Sequence, residues 1–292
     1  MVENLTTKIS SKTRTVEVGR DRATTIIGER INPTGRKKLY DALVQKNFEL
    51  VRQDAVNQVA AGATVLDVNA GIEEADEAAL LQELIRVVTG VTDVPLCIDT
   101  SDPKALSAAL SMYEGKALVN SVNGEERSLK ETLPLVKEYG AAVVGLCMDE
   151  DGIPETPEKR LAVAAKIMDR AVKEGIDACD VVIDPLVLTI GTDNQAGRIT
   201  LETTALVVRE FGVNITMGAS NVSFGLPDRP YVNSAFMVMA IQAGLTCPIT
   251  NPLVTEMMSA ILAADLVMGR DEDSMRWIKA YRERQKAARS EA

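Results

Sequence analysis

The chain has 292 residues, of which 46% are hydrophobic, 25% are charged and only 3% are aromatic. Its formal net charge is −10 and it shows no basic stripe, which argues against nucleic acid and anionic membranes as partners. Histidine is absent, and this excludes histidine-dependent catalytic triads, the usual zinc site and an imidazole general base. We therefore expect no bound metal.

The N-terminal segment contains no apolar run long enough for a signal peptide, and no stretch approaches the roughly 18 apolar residues of a membrane span. We therefore expect a cytoplasmic protein. Its cysteines are far apart and form no CxxC pair, so we expect free thiols rather than disulfides. They are Cys97, Cys147, Cys179 and Cys247.

Eight short runs rich in Val and Ile are spread evenly along the chain. They cover residues 24–29, 64–70, 95–100, 117–122, 142–147, 181–185, 214–220 and 245–250. Because they are almost continuously apolar, they predict parallel strands that are covered on both faces.

Segments with helical spacing of apolar residues lie between these runs. The clearest cover 48–63, 73–90, 156–175 and 259–269. Gly62 and Gly90 are natural helix stops, and Thr156 is a plausible N-cap. A polar helix is predicted over 271–288, packed through Trp277 and Tyr281, and residues 1–22 form a short N-terminal extension.

Alternating strands and helices over about 250 residues predict either a (β/α)₈ TIM barrel or a long doubly wound sheet. No GxGxxG turn follows any strand, as a dinucleotide-binding sheet would show. The barrel is therefore favoured, as a single domain that occupies residues 1–292 with the two short terminal additions.

The ends of the predicted strands are unusually polar, and in a barrel these ends form the active site. Many such residues are helix N-caps. Asp99 escapes that interpretation because Asp102 is the better cap, and Asp184 precedes Pro185 and a loop. Asn120 lies too early in its loop to cap a helix. These three residues therefore predict a binding site.

A carboxylate can accept two parallel N–H groups, and an amide can both donate and accept. Two Asp and one Asn on neighbouring strand ends therefore suit a flat, nitrogen-rich ring such as guanine or a pterin. A sugar or Mg²⁺ would also fit, so the residues alone leave the ligand open. An anionic ligand would need isolated cations, and Arg30, Arg198 and Arg229 are the candidates.

Seven motifs occur in the same order as in the pterin-binding barrel family. They are GERIN (28–32), LDVNAG (66–71), CIDTSDP (97–103), VNSVNGE (119–125), GLCMDEDGIP (145–154), VIDPLVL (182–188) and GASNVSFGLPDRPYVN (218–233). Within that family the chain resembles the methyltetrahydrofolate:corrinoid methyltransferases, and it is similar to the folate-binding domain of cobalamin-dependent methionine synthase. The resemblance extends from about Thr24 to the final helix.

The resemblance implies roles for the polar strand-end residues. Asp99, Asn120 and Asp184 would hold the pterin ring of tetrahydrofolate or 5-methyltetrahydrofolate. Asn221 would be the catalytic residue, with a hydrogen bond to the ring nitrogen that carries the methyl group.

Other residues of the same motifs would surround the ligand. Gly218 and Ser220 would line the pocket, and Arg229 would lie near the outer portion of the ligand. Further contacts are expected from Glu29, Arg30 and Asn32. Phe224 departs from the family pattern, in which a polar residue is expected.

The resemblance also implies that the second substrate is a corrinoid. Family corrinoid domains carry an Asp-x-His-x-x-Gly signature whose histidine binds cobalt, and this chain has no histidine. The corrinoid is therefore expected on a separate protein. The resemblance suggests a homodimer and leaves the direction of methyl transfer open.

Two alternatives remain. Dihydropteroate synthase shares the barrel and the Asp–Asn–Asp set. Its seventh strand usually ends in a Ser-Arg-Lys-type segment, where this chain has Gly-Ala-Ser-Asn. Its first loop is typically an Asn-Val-Thr-Pro-Asp-type run, where this chain has Gly-Glu-Arg-Ile-Asn. The other alternative is a non-catalytic pterin-binding barrel.

Overall fold

The computed structural model describes residues 3–73 and 75–290, which form a closed barrel of eight parallel strands behind a short antiparallel hairpin. The hairpin consists of β1 (Thr7–Ser10) and β2 (Thr15–Val18). The barrel strands are β3 (Ile27–Ile31), β4 (Val65–Asn69), β5 (Leu96–Asp99), β6 (Leu118–Asn123), β7 (Ala142–Leu146), β8 (Val181–Asp184), β9 (Asn214–Gly218) and β10 (Cys247–Thr250). β10 pairs with β3 and closes the barrel, so the predicted single-domain (β/α)₈ fold is confirmed.

Helices surround the barrel. They are α1 (Lys37–Val44), α2 (Glu49–Ala60), α3 (Glu77–Thr89), α4 (Pro103–Met112), α5 (Glu126–Tyr139), α6 (Pro157–Lys173), α7 (Ala196–Phe211), α8 (Arg229–Ala243), α9 (Thr255–Val267) and α10 (Met275–Ser290). Side chains start several of them: Asp102 accepts the Lys104 N–H, and Thr156 accepts the Lys159 N–H. None of the described helices combines the length and the apolar character that a membrane span requires.

The core has two layers. A small inner cluster fills the barrel with residues such as Ile27, Val65 and Val182, while a larger cluster lies between the strands and the helices. The inner layer is made of aliphatic and thiol side chains, as the low aromatic content predicts. All four cysteines are free, and Cys97, Cys147 and Cys247 are buried.

The N-terminal hairpin closes the lower end of the barrel, where the strands begin. Ile9 and Val18 are buried against the inner cluster. The buried side chain of Asn214 ties the hairpin to β9, since its Nδ2 donates to Leu5 O, Thr7 Oγ1 and Val18 O at 3.2, 2.9 and 3.0 Å. The sequence predicted only an extension here, whereas the structure shows a plug.

The C-terminal helix begins at Met275, later than position 271. Asp271 accepts the N–H groups of Arg276 and Trp277 at 2.9 Å each, so it caps the helix. The guanidinium of Arg276 also binds Asp265, which is fully buried in α9. Tyr281 is 54% exposed, so the predicted packing through this residue is wrong.

Candidate functional site

Strand register places three polar residues side by side at the upper end of the barrel. Asn69 of β4 pairs with Asp99 of β5, and Asp99 pairs with Asn120 of β6. Asp184 ends β8 and pairs with Leu146 of β7. The carboxyl ends of parallel strands meet at one edge, and this is why residues so far apart in sequence share one mouth.

Asp99 is held by two amide groups, one at the end of β4 and one directly after β3. Asn69 Nδ2 donates to Asp99 Oδ2 at 3.0 Å, and Asn32 Nδ2 donates to the same oxygen at 3.5 Å. No described residue binds Oδ1, which is left for a ligand. Burial raises the pKa of Asp99 to about 6, while the Asn69 hydrogen bond lowers it and the charge of Glu77 raises it.

Asn120 is oriented from below by a second carboxyl. Its Nδ2 donates to Asp67 Oδ1 at 3.3 Å, which leaves the amide oxygen of Asn120 as the acceptor that it can offer a ligand. Asp67 is only 2% exposed. Burial, followed by the charge of Asp99, raises the pKa of Asp67 well above its usual range and favours the protonated acid.

Asp184 also gives one oxygen to the protein. Its Oδ1 accepts the N–H of Leu186 at 2.7 Å, and no described residue binds Oδ2. Burial raises the pKa of Asp184 to about 7, while the Leu186 hydrogen bond and the charge of Arg160 lower it. The guanidinium of Arg160, in α6, lies beneath this turn and donates to Pro185 O and Leu186 O at 2.8 Å each.

Asn221 lies in the tight 3₁₀ turn Ala219–Ser223 that follows β9. Its side chain is exposed and makes no hydrogen bond to the residues that the structure describes. A Cβ atom at Gly218 would lie 3.1 Å from Asn221 Nδ2, closer than ordinary van der Waals contact. Glycine at 218 therefore makes room for the Asn221 amide beside the strand end.

Arg229 supports this turn. The first residue of α8, it donates through Nη2 to Ser220 O at 2.8 Å and through Nε to Ser223 Oγ at 3.1 Å. Its guanidinium carbon lies 5.8 Å from the ring centroid of Phe224. Arg229 and Ser220 thus contact each other, a link that the sequence did not predict.

The remaining candidates have different surroundings. Burial raises the pKa of Glu29, while the charges of Arg30 and Arg229 lower it. The backbone N–H of Arg30 donates to Gln58 Oε1 at 2.9 Å. Arg198, in the first turn of α7, is paired with Glu202 of the same helix at 2.7 Å, and its side chain is exposed.

The comparison with known proteins agrees with this geometry. Residues 28–251 match the family described as pterin binding enzyme. The chain belongs to the pterin-binding enzyme family.

Two curated relatives in this family are similar to nearly the whole chain. The methylcorrinoid:tetrahydrofolate methyltransferase of Eubacterium limosum is 33% identical over 265 residues, which cover 88% of this chain and 96% of that protein. The methionine synthase of Mycobacterium tuberculosis is 30% identical over 256 residues, which cover 83% of this chain. The same residues cover 22% of that synthase, so this chain spans about a fifth of its length.

Solved structures with the same fold include dihydropteroate synthases. The dihydropteroate synthase of Stenotrophomonas maltophilia gives a TM-score of 0.66 at 19% identity, with 89% of this chain and 98% of that chain covered. The dihydropteroate synthase of Yersinia pestis gives a TM-score of 0.64 at 18% identity, with 90% of this chain and 99% of that chain covered. At such low identity these similarities show the fold alone.

Three residues at this mouth were absent from the predicted site. Asn69 could have been included, because it ends its strand at the level of Asp99. Asp67 points into the barrel interior, and the sequence alone does not show which strand residues face that interior. Arg160 lies among the ordinary polar positions of a predicted surface helix, and nothing in the sequence marks it as only 1% exposed.

Proposed function

We propose that this barrel binds tetrahydrofolate by its pterin ring and moves a methyl group between the ring nitrogen N5 and the cobalt of a corrinoid. The observation that carries the proposal is the position of Asn221, an unpartnered amide among the described residues, in the turn directly after β9, the strand that pairs with β8 and so neighbours Asp184. The similarity to a methylcorrinoid:tetrahydrofolate methyltransferase over 96% of its length supports it. Dihydropteroate synthase has only the fold in its favour.

In this proposal the floor of the mouth recognises the pterin through its N–H groups. Asp99 Oδ1 and Asp184 Oδ2 would accept hydrogen bonds from the aminopyrimidine edge, and Asn120 would add an amide acceptor. Charge-assisted bonds of this kind are short and strong, and the buried setting makes them stronger than in water. Gly218 and Ser220 would line the remaining wall.

Asn221 would act at the reacting nitrogen. Transfer from methyltetrahydrofolate breaks the N5–methyl bond and forms a cobalt–carbon bond. The bonding pair stays on N5, which takes up a proton from water to give tetrahydrofolate. The nitrogen leaves more readily when a proton or hydrogen bond stabilises that pair, and an amide N–H can donate without titrating. In the reverse direction the N5 lone pair attacks the methyl group and N5 loses its proton to water, while the amide oxygen of Asn221 can accept a hydrogen bond from N5–H. One transition state serves both directions.

The cobalt would be supplied by another protein. Corrinoid domains of the family bind cobalt through a histidine, and this chain has none. We propose that a corrinoid protein docks over the mouth, and that the barrel binds no metal of its own. Protein purified alone should therefore contain no stoichiometric, tightly bound corrinoid.

The deciding experiment is an anaerobic ultraviolet–visible assay with methylcobalamin and tetrahydrofolate, and the reverse mixture with cob(I)alamin and methyltetrahydrofolate. We expect spectral change in at least one direction. Asn221→Ala should lower turnover by about a hundredfold, with a smaller loss of tetrahydrofolate affinity. Tetrahydrofolate binding without exchange, even with corrinoid proteins, would favour a non-catalytic barrel. Turnover of a pterin pyrophosphate with p-aminobenzoate would establish the synthase.

We also propose that the whole chain acts as one domain, in a cytoplasmic homodimer. Free thiols are usual in that reducing compartment. The neighbouring helices α8, α9 and α10 expose apolar side chains, namely Met239 (54% exposed), Val267 (86%), Met268 (43%) and Met275 (61%). Exposed apolar groups on adjacent elements are typical of an interface between subunits.

A further inference from the structure

Phe224 is exposed at the edge of the mouth. Its side chain is 68% exposed, whereas Phe236 is buried and Phe48 and Phe211 are half-buried. It follows Asn221 by three residues, and its N–H donates to Asn221 O at 3.1 Å. Phe224 therefore directly follows the tight turn that contains the amide used in the proposed mechanism.

The backbone of Phe224 is fixed from a second loop. Its carbonyl oxygen accepts the hydroxyl of Thr189 at 2.7 Å, and Thr189 lies in the loop after β8. The neighbouring loops after β8 and β9 are further joined by the bond from Ile190 N–H to Val222 O at 2.9 Å. The position of the ring is thus set by the loops next to Asp184 and Asn221.

One face of the Phe224 ring is covered by a cation. Arg229 lies 5.8 Å from the ring centroid, and its hydrogen bonds to Ser220 and Ser223 hold it in place. Ser223 is fixed in turn by a 2.6 Å bond to Asn233. This ring is supported on one face and held at its backbone. It therefore loses little conformational entropy when another ring stacks on its free face.

The covalent structure of tetrahydrofolate indicates which part of the ligand would lie near Phe224. Its aminobenzoyl arm is attached through C6, the ring carbon bonded directly to N5. A pterin held on the floor, with N5 at Asn221, must therefore direct this arm past the turn that contains Asn221. Phe224 is the aromatic side chain that directly follows that turn.

We propose that Phe224 is the stacking surface for the aminobenzoyl ring of tetrahydrofolate, with Arg229 as the support beneath it. This inference rests on the proposed function, because it takes the position of N5 from that proposal. It makes Phe224 a residue that distinguishes folates from simple pterins. The chain would then recognise both the ring system and the arm of its substrate.

The test compares two ligands by anaerobic titration calorimetry. Tetrahydrofolate carries the aminobenzoyl arm, and 6-methyltetrahydropterin has the same ring system without it. Phe224→Ala should weaken tetrahydrofolate binding by about three- to tenfold, the usual contribution of one aromatic pair. It should leave 6-methyltetrahydropterin affinity unchanged within about twofold, and Phe224→Tyr should bind tetrahydrofolate like the wild type.

Leu253→Ala is the matched control, since Leu253 is 46% exposed on the neighbouring loop after β10. It should alter neither affinity. Equal losses for both ligands in Phe224→Ala, or no loss for tetrahydrofolate, would overturn the inference. A change confined to the KM for the corrinoid protein would also overturn it and make Phe224 a partner contact. Wild-type protein that binds neither ligand would instead overturn the proposed function itself.

Discussion

The two acidic residues of the mouth are alike in one respect that governs their chemistry. Asp99 and Asp184 each give one carboxyl oxygen to protein N–H groups, and each keeps an oxygen that no described residue binds. Burial raises both pKa values, so each carboxyl holds its proton more tightly than it would in water. A ligand that donates N–H groups must therefore compete with that proton.

Tetrahydrofolate affinity should rise with pH through this range. The pKa of Asp99 is raised to about 6 and that of Asp184 to about 7. N–H donors favour the carboxylate, so a bound pterin lowers both pKa values, and binding weakens as protonation proceeds. From about pH 8 to about pH 6 the titration of Asp184 alone should weaken binding by about tenfold, measured by calorimetry. Asp184→Asn should bind more weakly and lose most of this dependence. A flat profile in the wild type would contradict the prediction.

The contact between Gly218 and Asn221 can be tested in the same way. A methyl group at position 218 would lie 3.1 Å from Asn221 Nδ2 and displace the amide. We expect Gly218→Ala to lower the rate of methyl transfer by about ten- to a hundredfold, because small displacements of a reacting group are costly. In an Asn221→Ala background the same change should have little further effect. An equal loss in both backgrounds would show that Gly218 acts independently of Asn221.

At the scale of elements, helix α6 holds the turn that presents Asp184. Arg160 in this helix is buried and donates to carbonyl oxygens of two loops, Pro154 after β7 and Pro185 and Leu186 after β8. Its charge also lowers the pKa of Asp184. One side chain therefore sets both the path of the loops and the ionisation of the site.

Two substitutions separate these roles of Arg160. Arg160→Met should lower the free energy of unfolding by about 3 kcal/mol, since it leaves buried carbonyl groups unpaired. It should also move the pH dependence of tetrahydrofolate binding to higher pH, because the pKa of Asp184 rises when the cation is lost. Arg160→Lys should also be destabilised, because a lysine cannot make all three hydrogen bonds to the loop carbonyl groups. Because it keeps the positive charge, the pH midpoint of tetrahydrofolate binding should stay near that of the wild type. Denaturant titration and calorimetry measure these effects. Identical pH midpoints in Arg160→Met and the wild type would exclude the electrostatic role.

The sequence predicted the barrel strands well because buried parallel strands have a distinctive apolar pattern. It also identified Asp99, Asn120 and Asp184, whose positions at strand ends place them at one edge. The hairpin was missed because four-residue strands such as Thr7–Ser10 give little periodic signal. Asp67 and Arg160 were missed because their roles depend on which side chains lie across the barrel wall, and spacing along the chain does not determine that.

At the scale of the whole molecule, we expect the exposed apolar side chains of α8, α9 and α10 to be buried in the interface of a homodimer. Light scattering after size-exclusion chromatography should give the mass of two chains. Val267→Glu should yield monomers, because Val267 is 86% exposed in the single chain and a buried unpaired charge is costly. Val172→Glu, at an exposed position of α6, is the control and should remain dimeric. A monomeric wild type would contradict the homodimer.

The plug formed by Ile9 and Val18 has a consequence for the order of events in turnover. Among the described residues, this hairpin fills the end of the barrel opposite the mouth. The folate would therefore enter and leave at the face where we propose that the corrinoid protein docks. A docked partner then seals the folate in. The folate substrate would have to bind first and the folate product would have to leave last. The rate at which the partner dissociates would then set an upper limit on the catalytic rate. The plug that completes the core would thereby impose a compulsory kinetic sequence on the two substrates.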